Sequence, residues 1–145
     1  MKNKYKILVT GVAGFLGSHL SEQLANLGHE VIGIDSMIGG YKDNIPNNIK
    51  FHNIDCCNFE KVKAIMSKVD IVYHCAATAH EGLSVFSPYE ITKNNYLASV
   101  SIFSAAINHK VKRIIFCSSM ARYGEQPTPF LESMKPLPVD PYAIS

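Results

Sequence analysis

The sequence predicts an α/β fold built on a doubly wound parallel sheet. Short apolar, β-branched runs alternate with segments of helical periodicity along most of the chain, and glycines crowd the junction after the first run. Such alternation gives parallel strands joined by right-handed crossovers. The first strand is YKILVT (residues 5–10), a short apolar run bounded by glycines, as a buried strand should be. A helix follows, with Phe15, Leu16, Leu20, Leu24 and Leu27 at helical spacing and Gly28 as its C-terminal stop. EVIGID (30–35) and IKFHNID (49–55) read as the second and third strands. NFEKVKAIMSKV is a short helix and DIVYHCAA (70–77) a fourth strand.

Ser87 stands three residues before Glu90 with Pro88 between them, the pattern of a capping box with proline at the first helical position. The helix it opens carries Ile91, Ala98, Ile102, Phe103, Ala106 and Ile107 on one side and runs to about His109. KRIIFCSS (112–119) is a fifth strand, apolar on both faces. The proline-rich stretch 126–141 is a long irregular segment beyond that strand, a place where function concentrates in open sheets. No repeat, low-complexity tract or linker interrupts the pattern.

Composition bounds the function. The chain has 145 residues, 47% hydrophobic and 18% charged, which is the profile of one globular domain. A formal charge of +2 is too small to imply a nucleic-acid or acidic-membrane partner. Lys110, Lys112 and Arg113 flank a helix end and a strand start, and read as a solvated loop. The basic start MKNKYKILVTG has too short an apolar run for a signal peptide, and no run reaches membrane-spanning length. Cys56, Cys57, Cys75 and Cys117 show no metal-ligand spacing and read as free thiols, so a cytoplasmic location is expected. His80 and Glu81 have no partner at metal spacing and read as loop polar residues, so no metal is expected.

The chemistry concentrates at TGVAGFLGSHL. Gly11, Gly14 and Gly17 fall at G-x-x-G-x-x-G, with Ala13 where the commonest dinucleotide fingerprint has glycine. Gly11 permits the tight turn, Gly14 lets the backbone approach a pyrophosphate, and Gly17 lets helix and strand pack closely. The helix N-terminus offers unpaired N–H groups to the phosphates. Asp35 closes the second strand, eighteen residues beyond Gly17, near the spacing for an acid that binds adenosine ribose hydroxyls. No arginine or lysine follows it in SMIGG to receive a 2′-phosphate, so NAD is favoured over NADP. Asp55, at the end of the third strand, either accepts a bond from the adenine amino group or forms a turn. The small residues of CAAT (75–78) either leave room for a cofactor or serve close packing.

Taken together, TGVAGFLGSHL, IGID, HCAA, KNN (93–95), SSMARYG (118–124) and PYAIS resemble the extended short-chain dehydrogenase/reductase family, in particular its NAD-dependent nucleotide-sugar epimerases and dehydratases. The resemblance covers the whole chain. It implies a Rossmann domain and a catalytic Tyr-x-x-x-Lys pair assisted by a hydroxyl residue. Tyr142 falls on the tyrosine and Ser119 on the hydroxyl. A phenol is a weak base at neutral pH, and in the family a lysine ammonium and the cofactor's charge strengthen it. The resemblance extends the cofactor-binding set to Gly11, Gly14, Phe15, Leu16, Gly17, Asp35, Asp55, Cys56, Cys75, Ala76, Ala77, Asn94 and Cys117. It places Ser84, Ser119 and Met120 at the nucleotide-sugar substrate.

Met120 and Ala121 stand where the dehydratases carry an Asp-Glu pair, so epimerisation is expected, with simple oxidoreduction as the alternative. Arg122 replaces a more usual small apolar residue, and either reaches a charged substrate group or lies exposed. The family's lysine would follow Ser145 directly. The expectation is therefore that residues 1–145 are the N-terminal part of an NAD-binding domain, inactive alone. The remaining strands and a C-terminal substrate domain would lie beyond. A homodimer is expected through the 88–109 helix and the one beginning near Tyr142.

Overall fold

The computed structural model describes residues 4–145, so the first three residues of the basic start lie outside it. Five strands form one sheet: β1 (Lys6–Thr10), β2 (Glu30–Asp35), β3 (Lys50–Asn53), β4 (Ile71–His74) and β5 (Arg113–Phe116). All neighbours are parallel and the order is β3-β2-β1-β4-β5. The order reverses between β1 and β4, and in open sheets of this kind ligands bind beyond the carboxyl ends of the strands at such a reversal.

Alternation along β1 sends its side chains to opposite faces and so creates two cores. On one face Leu8 joins Ile32, Ile34, Val72, Val62, Met66 and Ile102, packing the sheet against α2 (Phe59–Ile65) and α5 (Ala98–Asn108). On the other, Ile7 and Val9 meet Val12, Val31 and Leu24 of α1 (Phe15–Asn26). Helices thus cover both faces, as the doubly wound reading requires.

Three local expectations need correction. The buried stripe of α1 is Gly17, Ser18, Ser21 and Leu24, while Phe15, Leu16 and Leu27 are exposed. Small side chains let this helix lie close to the sheet, and the bulky ones point away. Ser87 precedes α4 (Pro88–Thr92) with Pro88 in the first turn, but its side chain makes no capping bond. Its backbone, at φ −138 and ψ 55, does not aim the hydroxyl at the helix. Ile107, counted on the apolar side of the long helix, is exposed.

Two further elements depart from the sequence reading. The long helix is α4, a π-helical turn (Lys93–Leu97) and α5 placed end to end, an interruption that periodicity alone does not reveal. Lys112 is not simply solvated: its Nζ lies 2.7 Å from Asp70 Oδ1, and Asp70 Oδ2 accepts from the Lys6 N–H. The lysine contact, with the backbone bond second, holds the Asp70 carboxyl below its usual range, and the carboxylate in turn raises Lys112. β5 lies at the sheet edge with Arg113 and Phe116 exposed.

Candidate active site

The turn after β1 is built by backbone contact. Gly11 donates its N–H to the Ile34 carbonyl at 2.8 Å and adopts φ +74, a region that disfavours side chains. A Cβ there would sit 2.9 Å from the backbone of Ala76, so the turn also presses against the end of β4. Gly14 caps α1, and the first bond of the helix runs from the Ser18 N–H to the Gly14 carbonyl. The N–H groups of Phe15, Leu16 and Gly17 are thereby left for a ligand, and no acidic residue in the first turn competes for them.

Beside this turn lies a groove of about 690 Å³, lined by Gly11, Gly14, Asp35, Asp55, Cys56, Cys75, Ala76, Ala77 and Asn94 among others. Its lining of glycine and alanine backbone with a few polar groups suits an extended nucleotide. Asp35 is buried, and each carboxylate oxygen accepts one backbone bond, Oδ2 from Ala13 at 3.0 Å and Oδ1 from Met37 at 2.7 Å. A carboxylate oxygen has two acceptor directions, so both can still receive a ribose hydroxyl. The groove lining contains no cationic side chain, and the Asp35 carboxylate would repel a 2′-phosphate. The residues present therefore fit NAD. Asp55 lines the groove, and its Oδ1 accepts the Cys57 N–H in a turn. Burial and the nearby Asp55 push the Cys56 thiol up to about 12.

A second pocket, of about 720 Å³, opens beyond β4 and β5 and shares Ala76 and Ala77 with the groove. It is lined by Ser119, Tyr142, Arg122, Asn95, Ser99 and Cys117, with neighbouring backbone. Ser119 Oγ accepts the Ala121 N–H at 3.1 Å, which fixes the hydroxyl and leaves its own proton free to donate. Tyr142 arrives on α6 (Pro141–Ile144), capped by Asp140, whose Oδ1 accepts the Ala143 N–H.

The remaining expected site residues are placed differently. Phe15 and Leu16 have exposed side chains and do not line the groove, so only their N–H groups at the start of α1 are open to a phosphate. Gly17 lies behind the groove against the Gly11 carbonyl, a packing role. Cys117 lines the second pocket and not the cofactor groove, its thiol 3.6 Å from that of Cys75. Burial pushes Cys75 up to about 12, which keeps this thiol protonated and inert. Met120 is 70% exposed and lines neither space. Ser84, expected at the substrate, is fully buried in α3 (Glu81–Ser84) and donates to the Glu81 carbonyl and to Asp140. It acts on the site by pinning the cap of α6. Among the described residues no group of three or more His, Cys, Asp or Glu could hold a metal, and no helix is long and apolar enough to cross a membrane.

Sequence reasoning named Asn94 but missed the other residues that brace both spaces. The π-helical turn brings consecutive side chains, Asn94 and Asn95, to Thr78. Asn94 Nδ2 reaches Thr78 Oγ1 at 3.3 Å, and Asn95 Oδ1 accepts the Thr78 N–H at 2.7 Å. Asn95 also donates to Ser145 Oγ, which ties α6 to the long helix. Thr10 Oγ1 accepts the N–H groups of Cys75 and Ala76, so its proton goes to His74 Nδ1 at 2.8 Å. The imidazole then donates from Nε2 to Ser99 Oγ at 3.0 Å. A threonine ending β1 and a histidine ending β4 were the available signal.

Burial drives the His74 imidazole from 6.5 down to about 4. The unfolded chain takes up this proton near the ordinary value and the folded chain refuses it until far lower. Stability should therefore fall as pH drops through that window, by about 3 kcal/mol in all. Urea unfolding between neutral pH and pH 4 should show this slope in the wild type and a shallower one in His74→Gln. Equal slopes would refute the assignment.

Comparison with known proteins agrees with this geometry. The NAD dependent epimerase/dehydratase family profile matches residues 7–145. A UDP-glucose 4-epimerase of Halalkalibacterium halodurans is 34% identical over 94% of this chain and 41% of its own length. The UDP-N-acetylglucosamine 4-epimerase of Methanobrevibacter ruminantium, solved with UDP-N-acetylmuramic acid, superposes with a TM-score of 0.92 at 35% identity, covering 98% of this chain and 47% of that one. A Thermus thermophilus UDP-glucose 4-epimerase solved with NAD gives a TM-score of 0.91 at 33% identity, covering 96% and 46%. Curated relatives include UDP-sugar 4-epimerases and decarboxylases, and the chain spans less than half the length of these. With the profile covering nearly every residue from β1 onward, this chain belongs to the NAD-dependent epimerase/dehydratase family.

Proposed function

We propose that the chain forms the cofactor-binding and proton-transfer part of an NAD-dependent nucleotide-sugar 4-epimerase, the rest of whose domain and substrate-selecting region lie outside these residues. The observation that carries this reading is the junction at Ala76 and Ala77, where a dinucleotide groove meets the pocket holding Ser119 and Tyr142. Two alanines leave the passage between the two spaces clear of bulky side chains, as a shared reaction centre requires.

Within that centre each group has one task. The Ser119 hydroxyl, already anchored by the Ala121 N–H, donates to the sugar oxygen and holds it. Tyr142 takes the hydroxyl proton as the C4–H bond is broken, and gives it back when the keto-sugar is reduced. Bound NAD supplies reversible hydride acceptance, so no net cofactor is consumed over a turnover. The exposed side chains of Tyr89, Tyr96, Val100 and Ile107 on α4, the π-helical turn and α5 support the expected homodimer contact.

The test is an assay of the intact protein with UDP- and dTDP-linked C4-epimer pairs, both neutral hexoses and hexuronates. Interconversion of C4 epimers without net NADH absorbance is the expected result. Stoichiometric NADH accumulation would instead identify a dehydrogenase, and failure to convert any pair would overturn the proposal.

A further inference from the structure

Arg122 is the one basic side chain lining the Ser119–Tyr142 pocket among the described residues, and no acidic side chain lines it. Its backbone is held on both sides: the N–H donates to the Ser119 carbonyl and the carbonyl accepts from Leu137 N–H at 2.9 Å. The guanidinium lies 4.7 Å from the Tyr123 ring centroid, and that ring stacks on Phe130. Stacking fixes the guanidinium plane but engages none of its N–H groups. Nε is buried and has no acceptor among the described residues. The ion pairs found there, Glu90–Lys93 and Asp70–Lys112, leave Arg122 out. A buried donor on a charged group without an acceptor is costly and calls for a ligand.

We propose that Arg122 binds a carboxylate on the sugar, so that the substrate is a nucleotide-linked uronic acid and not a neutral hexose. The inference rests on the epimerase reading and specifies its substrate class. A planar fork of N–H donors matches a carboxylate in two-point contact. Arg122 stands three residues from Ser119, in the same pocket, so the anion it meets is on the ring that Ser119 grips. The C6 carboxylate of a hexuronate lies two bonds from the reacting C4. A diphosphate is common to both substrate classes and cannot account for a preference between them.

The experiment compares kcat/KM for a UDP-hexuronate and the matching UDP-hexose with the intact protein, its Arg122→Met variant and its Arg122→Lys variant. The wild type should favour the uronate about tenfold or more, and Arg122→Met should lower that ratio by about tenfold to a hundredfold, with partial recovery in Arg122→Lys. NAD affinity measured on each variant reports whether it is folded. Preference of the wild type for the neutral sugar would overturn the inference and leave the epimerase reading standing, whether or not any variant folds. An unchanged ratio in Arg122→Met, with both substrates slowed alike, would also overturn it. If neither sugar turns over, the epimerase reading falls and the inference with it.

Discussion

Replacing Tyr142 with phenylalanine should reduce turnover of the intact protein by about a thousandfold, with NAD affinity nearly unchanged. The substitution deletes one oxygen from a half-buried side chain on α6. The contacts that hold this helix are the Asp140 cap, the Ser84–Asp140 bond and the Asn95–Ser145 bond, and none uses the phenol. Folding should therefore change by less than about 1 kcal/mol. What disappears is the proton acceptor. Positioned acid–base groups contribute roughly 10² to 10⁴ in rate, and among the described residues the only other titratable side chains lining the pocket are Arg122 and the Cys117 thiol. Single-turnover measurements of sugar oxidation would isolate this step from product release. Turnover within a few-fold of wild type would remove Tyr142 from the chemistry.

Gly17→Ala should be strongly damaging to the fold. A Cβ at this position would overlap the Gly11 carbonyl and lie 2.6 Å from its carbon, with Val12 Cα at 3.1 Å. These are backbone atoms and cannot swing aside as a flexible side chain would. Relief requires α1 to lift from the sheet, opening the layer around Val9, Val12 and Leu24. Overpacking of this kind costs about 3 kcal/mol, enough to move a thermal midpoint by roughly 10 °C in a domain this size. The same shift would tilt the helix N-terminus away from the phosphate position, so NAD affinity should fall together with stability. A Gly17→Ala protein that melts and binds NAD like the wild type would show that this contact is slack.

The order of strands and helices was legible because each carried its own period: unbroken apolar runs for strands buried on both sides, and three-to-four spacing for helices. The glycine turn and Asp35 were legible for a different reason, since their spacing is set by the strand–turn–helix path itself. Side-chain direction was not. Phe15 and Leu16 read as core because apolar residues usually are, yet the close approach permitted by Gly17, Ser18 and Ser21 turned them outward. Ser84 read as a substrate ligand from its loop, but a short helix buried it. The partner that defines its role, Asp140, stands fifty-six residues later in the chain, and no local pattern links the two. Thr10, His74 and Ser99 were invisible for the same reason: each is unremarkable alone, and only the sheet register makes them a chain of donors and acceptors.

The π-helical turn at Lys93–Leu97 has a consequence for how this domain could be made sturdier. Deleting one residue from that segment would restore an uninterrupted ladder and a more robust helix. It would also close the widened turn that accommodates the extra residue. Asn94 and Asn95 could then no longer face Thr78 together, and the loop beneath both ligand spaces would lose its anchor. The tighter helix and the braced loop are mutually exclusive, so thermal robustness gained at this spot comes at the expense of the loop that lines the groove.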